Sequence, residues 1–279
     1  MEKNTIKWAM YLNYFVFAIL LNSVGIVILK AQRNYGVDEL EASILEAFKD
    51  LPIAIVSFLV ASFLPRIGYK RAMLIGLGLV YMACITMYFG NSFATAKLLF
   101  ATVGVSFALI KVSVYSLIGT VTENQQEHNS LMSSIEGVFM IGISLAYFLF
   151  PAFNSETNPD AWLNVYWLLA GISGVSFAFL FLAKSENQVE VPGVNLLDDF
   201  RQMFQLMAKL LTIVFVISAF LFVMIEQGIM SWLPTFNSKV LHLPENISIM
   251  MASILAISLA VGRLAAGFLT KKINWIWIL

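Results

Sequence analysis

The sequence predicts an all-α membrane protein with eight transmembrane spans and the beginning of a ninth. Trp8 to Leu29 is a run of 22 residues without a charge, and similar runs recur along the chain. At ~1.5 Å of rise per residue, such a helix crosses the ~30 Å hydrocarbon core of a bilayer. Hydrophobic residues make up 59% of the chain and charged residues 12%. In soluble domains, hydrophobic residues average ~45–50% and charged residues ~25%, so this composition excludes a soluble fold.

Each span is expected to be a helix, because a lone strand would leave backbone groups without hydrogen bonds in lipid. The predicted spans are Trp8–Leu29, Ala42–Leu64, Ala72–Phe89, Leu98–Val121, Ser130–Phe150, Ala161–Ala183, Leu210–Trp232 and Asn246–Leu269. Ile273–Leu279 reads as the start of a ninth span.

Basic residues set the expected orientation. With the N-terminus inside, the inner segments hold ten Lys and Arg residues and the outer loops hold four. Inner loops of membrane proteins carry the excess of basic residues. We therefore expect a multi-pass protein of the plasma membrane, or bacterial inner membrane, with a cytoplasmic N-terminus. Membrane lipids are its expected surroundings.

One long polar stretch divides the chain. Residues 184–209 contain SENQVEVPGVN and then apolar residues at helical spacing, which fits either a helix lying on the inner membrane face or an early start to the seventh span. An offset of 205 residues also places Ala-Ser-Phe-Leu-Pro-Arg (61–66) on Ala-Gly-Phe-Leu-Thr-Lys (266–271). Parallel repeats are a transporter architecture. We expect a six-helix bundle (1–183), a cytoplasmic linker (184–209) and an incomplete second bundle (210–279).

Composition argues against several function classes. The net charge is zero, so no basic surface for nucleic acid is expected. The single cysteine, Cys84, rules out an internal disulfide and a cysteine metal cluster. The two histidines lie in predicted loops on opposite sides, which leaves a membrane-embedded enzyme as the least favoured reading. No P-loop occurs, and we expect no cofactor and no metal.

The loop after the second span, FLPRIGYKR, resembles the cytoplasmic signature of the major facilitator superfamily, a Gly-x-x-x-Asp-Arg-x-Gly-Arg-Arg type of pattern. The residues that fit are Arg66, Gly68, Lys70 and Arg71. Pro65 stands where the family usually has an Asp that helps to hold its two halves together, and Ala61 stands where it usually has Gly. The resemblance implies a twelve-span fold of two six-helix halves. It also implies a cavity lined by spans one, four, seven and ten.

A later segment, GRLAAGFLTKK, resembles the partner signature after the eighth span through Gly262, Arg263, Gly267, Lys271 and Lys272. IEQGIMSWLPTF in span seven resembles a segment of the fucose–proton symporter branch. Two acidic positions of that branch fall on Gly25 and Ile110, which cannot carry a proton. Against a twelve-span family, eight spans and a stub indicate a fragment that lacks C-terminal spans.

Ionisable residues inside the spans are the candidate functional groups, because each costs ~2.5–3.5 kcal/mol on insertion scales. Lys111 lies near the middle of span four, with Tyr115 one turn further on the same face. This lysine is expected either to bind an anionic or polar substrate, or to modulate a proton site. The alternative is a structural ion pair with Glu136 of span five.

Glu46, Lys49 and Asp50 share one face of span two. Glu46 and Lys49 are spaced to pair, which would leave Asp50 as a surplus carboxylate and proton carrier. The alternative is a water-exposed cluster near the outer surface.

Span seven supplies two further candidates. By the repeat offset, Glu226 and Gln227 fall opposite Leu21 and Asn22 of span one, where a substrate would lie. Alternatively, Glu226 orders a helix break between Gly228 and Pro234. Arg263 is expected to act at the cytoplasmic gate.

The function expected from these residues is secondary active transport of a small polar solute, a sugar or an organic anion, by alternating access. A proton is the candidate coupling ion. The competing expectations are a non-transporting remnant or scaffold and, less favoured, an intramembrane enzyme.

Overall fold

A computed structural model describes residues 2–155, 157–183, 205 and 209–269, and this part of the chain contains helices and no strands. The predicted interfacial helix of the linker and the predicted ninth span therefore lie outside the described residues. The α-helices are α1 (Glu2–Asn22), α2 (Val24–Asn34), α3 (Glu39–Ile67), α4 (Tyr69–Gly90), α5 (Phe93–Val121), α6 (Gln125–Ala152), α7 (Val165–Leu182), α8 (Leu210–Lys239) and α9 (Glu245–Leu269). A short 3₁₀ turn, Ala161–Asn164, precedes α7.

The all-α membrane fold is confirmed. Within the described residues, six helices are long and apolar enough to cross a membrane, and the bent pair α1–α2 makes a seventh if it counts as one span. Every predicted span coincides with a helix or with this pair. The observed helices mostly run several residues beyond the predicted bounds, because polar residues continue a helix outside the hydrocarbon region.

The first predicted span is broken where a single helix was expected. α1 and α2 are bent by 43° at Ser23. The Ser23 hydroxyl donates to the Leu20 carbonyl (2.7 Å), and the Asn22 side-chain amide donates to the Ala18 carbonyl (2.8 Å). Polar side chains that bond back to the preceding turn bend helices. The bend turns α2 toward α8.

The expected break between Gly228 and Pro234 is wrong, because α8 continues through Pro234 to Lys239. Contacts beyond the proline account for the difference. The buried Asn237 side chain donates to the Ser248 carbonyl (3.0 Å), and the Leu243 amide donates to the Asn237 carbonyl (3.1 Å). These bonds tie the end of α8 to the start of α9.

Local sequence signals fix the helix starts. Asp38 and Asn124 accept hydrogen bonds from backbone amides in the first turns of α3 and α6, and Ser92 forms a capping box with Thr95 at the start of α5. Such caps satisfy amides that have no partner within the helix. Gly68 alone joins α3 to α4, with a φ of 89° that favours glycine.

Helices α1 to α7 form the N-terminal bundle, in which α5 packs on α3 and α4, and α1 packs on α6 and α7. The C-terminal pair, α8 and α9, packs on this bundle through α2 and α6. Gly104 brings α5 against the backbone of α3: a Cβ at this position would overlap the Lys49 carbonyl oxygen. Small residues at such positions let helices approach closely in a membrane.

We predict that Gly104→Ala destabilises the bundle by about 1–3 kcal/mol, because the added methyl group forces α3 and α5 apart. Thermal unfolding of the purified chain in detergent measures the change. Gly78→Ala is the matched control, since nothing lies within 4 Å of a Cβ built on Gly78. Equal melting temperatures for the two variants would contradict the close α3–α5 contact.

Candidate functional site

Helix α8 is buried against the rest of the structure at one end only. We call the end of the bundle where α1 begins the near end and the opposite end the far end. In the far-end part of α8, Met230, Ser231, Pro234, Thr235 and Asn237 are buried, whereas none of residues 210–225 is buried. A Cβ on Gly25 of α2 would overlap the Ser231 backbone, so the two helices touch there.

Charged side chains reinforce this contact at the far end. Lys30 of α2 forms an ion pair with Glu245 of α9, and their side chains are only 6% and 19% exposed. Arg33 donates to Glu245 (2.7 Å) and to the Ser238 hydroxyl (2.6 Å). Removing one partner of a buried ion pair costs about 3–5 kcal/mol. Lys30 and Glu245 are therefore the strongest polar link between the two parts.

Further polar contacts surround this pair. Lys239 of α8 pairs with Glu39 of α3. Asn154, just after α6, accepts a hydrogen bond from Lys30 (2.8 Å) and donates to Asn246 of α9. We call the set Lys30, Arg33, Glu39, Asn154, Ser238, Lys239, Glu245 and Asn246 the far-end latch. It joins α2, α3 and the end of α6 to both helices of the C-terminal pair.

Away from the latch the contact between the two parts is looser. A groove of about 610 Å³ lies between α6, from Ser134 to Phe148, and Ala260 of α9. None of residues 210–225 of α8 is buried. Among the described residues, α8 is therefore packed on the N-terminal bundle mainly at the far end.

Lys111 is exposed on α5. Its ammonium lies over the Phe107 ring, 5.7 Å from the centroid, one turn toward the far end. Among the described residues, no carboxylate lies within 4 Å of this ammonium. The aromatic face offsets part of the charge, but the lysine keeps its capacity to bind an anion.

Tyr115 and Glu136 form a hydrogen-bonded pair between α5 and α6. The Tyr115 hydroxyl donates to the Glu136 carboxylate at 2.5 Å. The ring of Tyr14 from α1 lies 6.3 Å from that of Tyr115, and its hydroxyl is buried beside it.

Phenylalanine rings fill the space behind these polar groups. Phe107 and Phe139 stack with centroids 6.1 Å apart, and Tyr14 contacts both rings. The cluster links α1, α5 and α6 and positions Lys111 and Tyr115 on one wall.

The expected alternative of a Lys111–Glu136 ion pair is wrong in this structure. Lys111 lies over Phe107, toward the far end, whereas Glu136 bonds to Tyr115, toward the near end. Each group therefore has a separate local contact, and Lys111 is exposed while Glu136 is half-buried.

On α3 the ion pair differs from the expected Glu46–Lys49 pair. Lys49, which is buried, pairs with Asp50 (3.4 Å) rather than with Glu46. One Glu46 carboxylate oxygen is buried without a hydrogen-bond partner. Asp50 is 56% exposed and paired with Lys49. Glu46 is therefore the carboxylate with fewer hydrogen-bond partners.

Asn22, Glu226 and Gln227 are all partly exposed. The Asn22 amide is engaged by its own helix through Ala18. Asn22 lies three residues before Gly25, and Gln227 lies four residues before Ser231. Since Gly25 touches Ser231, both side chains lie about one turn toward the near end of the α2–α8 contact.

The signature residues are only partly defined. Lys70 donates to the backbone carbonyls of Phe181 (3.1 Å) and Ala183, and so caps the C-terminal end of α7. Arg71 and Gly262 are exposed. The side chains of Arg66 and Arg263 lie outside what the structure describes, so their gate role stays a prediction.

Sequence reasoning missed Tyr14, Phe107 and the far-end latch. Phe107 lies one turn before Lys111, and Tyr14 belongs to span one, which the resemblance assigns to the cavity. Residues four apart share one face of a helix, so Phe107 could have been identified from its position four residues before Lys111. No local signal pairs Lys30 with Glu245.

Comparisons with known proteins identify the family of the chain and show a solved structure with the same fold. The family model described as Major Facilitator Superfamily matches residues 10–279. None of the curated proteins compared with the sequence matches it significantly. Among solved structures, the crystal structure of a D-xylose–proton symporter superposes with a TM-score of 0.71 at 13% identity. The match covers 98% of this chain and 70% of the symporter chain.

We predict that Glu245→Gln opens the far end. The change leaves Lys30 without its buried partner, and thiol-reagent labelling of Ser231→Cys should rise by about tenfold or more. Ser231 is 2% exposed at the α2–α8 contact, and a Cys84→Ala background removes the native thiol.

Glu127→Gln is the matched control, because it breaks the Lys7–Glu127 ion pair (2.8 Å) inside the N-terminal bundle. Equal labelling in the Glu245→Gln and Glu127→Gln variants would show that the latch does not hold the far end closed.

Proposed function

Because this chain belongs to the Major Facilitator Superfamily, a family of secondary transporters, we propose that it moves a small polar solute across the membrane by alternating access. Family membership and the apolar helices make it a multi-pass integral membrane protein. The same membership places it with transporters rather than with membrane-embedded enzymes. The proposed solute is a sugar or an organic anion.

The observation that carries the proposal is the unequal packing of the two ends around a polar wall at mid-depth. The latch joins the two parts at the far end, residues 210–225 of α8 are not buried, and Lys111, Tyr115 and Glu136 lie between the two ends of α5 and α6. A transporter that works by alternating access holds its solute near the bilayer midplane and rocks its two parts about that site. This arrangement corresponds to one end state of such a cycle.

The positive-inside pattern supports a cytoplasmic near end. The arrangement would then be the inward-facing state. In the outward-facing state the latch would separate and the near ends would close. The salt bridges and hydrogen bonds of the latch fit such a reversible contact, because water can replace each partner when the far end opens.

Two walls would hold the solute. Lys111, Tyr115 and Glu136 form the wall on the N-terminal bundle. Asn22, Glu226 and Gln227 would contribute from the side where α1, α2 and α8 meet. Each wall carries a side chain that is costly in lipid, and intramembrane charges mark substrate and ion pathways by default.

A proton is the proposed coupling ion, and two carboxylates are candidates for carrying it. Glu136 is hydrogen-bonded to Tyr115. Glu46 has a buried oxygen without a partner, and protonation would remove its unpaired charge. Asp50 is disfavoured because Lys49 already pairs with it.

We predict that proteoliposomes containing the chain take up a radiolabelled sugar or sugar acid, and that Lys111→Ala and Glu226→Gln each reduce uptake by more than about tenfold. Lys97→Ala is the matched control, because Lys97 lies over Phe93 on the same helix (4.8 Å), near the far end. Unchanged uptake in both site variants would remove the site assignment. No uptake by the unaltered chain would favour the scaffold alternative.

We predict further that an uncoupler lowers uptake by the unaltered chain, since it collapses the proton gradient. The carboxylate that carries the proton is the one whose Gln variant, Glu46→Gln or Glu136→Gln, abolishes the response to the uncoupler. An uncoupler without effect on the unaltered chain would contradict proton coupling.

A further inference from the structure

The N-terminal wall carries one cation and one carboxylate that do not neutralise each other. From this we infer that the solute is a monoanionic polyhydroxy acid, a sugar acid whose carboxylate binds Lys111 and whose hydroxyls bind Tyr115 and Glu136. This inference rests on the proposed function and deepens it by naming the substrate class.

The first step is the anion site. Lys111 is exposed, and among the described residues no carboxylate lies within 4 Å of its ammonium. A lysine at mid-depth in a membrane pairs with an anion or faces water. A solute carboxylate would supply that partner through a charge-assisted hydrogen bond.

The second step is the separation of the two charges. The Lys111 ammonium lies over Phe107 and the Glu136 carboxylate is bonded to Tyr115. Lys111 and Tyr115 are four residues apart on α5, which corresponds to ~6 Å along the helix, and share one face. A solute bound to Lys111 can therefore extend to the Tyr115–Glu136 pair.

The third step is the polar end. The Glu136 carboxylate needs hydrogen-bond donors, and Tyr115 supplies one. Tyr115 and Glu136 are both half-buried. Hydroxyls both donate and accept, so a polyol can bond to Glu136 and Tyr115 together.

Selectivity follows from what each competing class leaves unpaired. A neutral sugar provides no partner for Lys111. A dicarboxylate would bring its second charge against Glu136, and like charges disfavour binding. The site thus favours a single negative charge with hydroxyls at the other end, through one attraction and one repulsion.

The test is equilibrium binding of radiolabelled D-gluconate to the full chain in lipid nanodiscs, with D-glucose and succinate as competitors. D-gluconate should bind at least about tenfold more tightly than either competitor. Lys111→Gln should remove the preference over D-glucose and Lys111→Arg should retain it. Glu136→Gln should improve competition by succinate.

Lys97→Gln is the matched control, since it removes the other lysine that lies over a phenylalanine on α5. Competition by D-glucose equal to that of D-gluconate would overturn the sugar-acid assignment and leave the transport proposal standing. A Lys111→Gln variant that loses both ligands equally, or a chain that binds none of the three, would also overturn it. The transport proposal is judged separately by uptake.

Discussion

The buried ion pair between Lys30 and Glu245 determines how the two parts of this molecule meet. It lies at the far end, with Arg33, Asn154 and Asn246 around it, and the close contact of Gly25 with Ser231 lies below it. Five residues of α8 between Met230 and Asn237 are buried, whereas none of residues 210–225 is buried. The burial of α8 is therefore concentrated at the far end, beside the ion pair.

The polar wall rests on local contacts of α5 and α6. The Lys111 ammonium lies over Phe107, and Glu136 accepts a hydrogen bond from Tyr115. The rings of Tyr14, Phe107 and Phe139 pack together behind these side chains. The wall therefore combines an apolar backing with charged groups that keep bonding capacity.

Apolarity is a local property of each segment, so the all-α class and most helix bounds follow from the sequence, whereas six helices, or seven with the bent pair, qualify as spans among the described residues rather than the eight expected. Caps such as Asp38 and the turn at Gly68 are local as well. The bend at Ser23 and the continuation of α8 through Pro234 depend on partners elsewhere in the chain, and they differ from expectation for that reason. The site shows the same division. Sequence placed Lys111, Tyr115 and Glu136 on the correct elements, but only geometry decides that Glu136 bonds to Tyr115 and that Lys49 chooses Asp50. Arg33 and Glu245 are 212 positions apart, and no periodic pattern relates them.

The most direct measurement of the account is a pair of distances between spin labels in the full chain, in a Cys84→Ala background. One pair, on Asn34 and Val240, spans the far end, and the other, on Thr122 and Leu211, spans the near end. In the unaltered latch the far-end distance should be short and narrowly distributed, and the near-end distance long. Reversing one charge by Glu245→Arg should lengthen the far-end distance and shorten the near-end distance together, because the two parts rock about a mid-depth site. Distances that stay unchanged, or that change with the same sign, would contradict the rocking of two parts about a central polar wall.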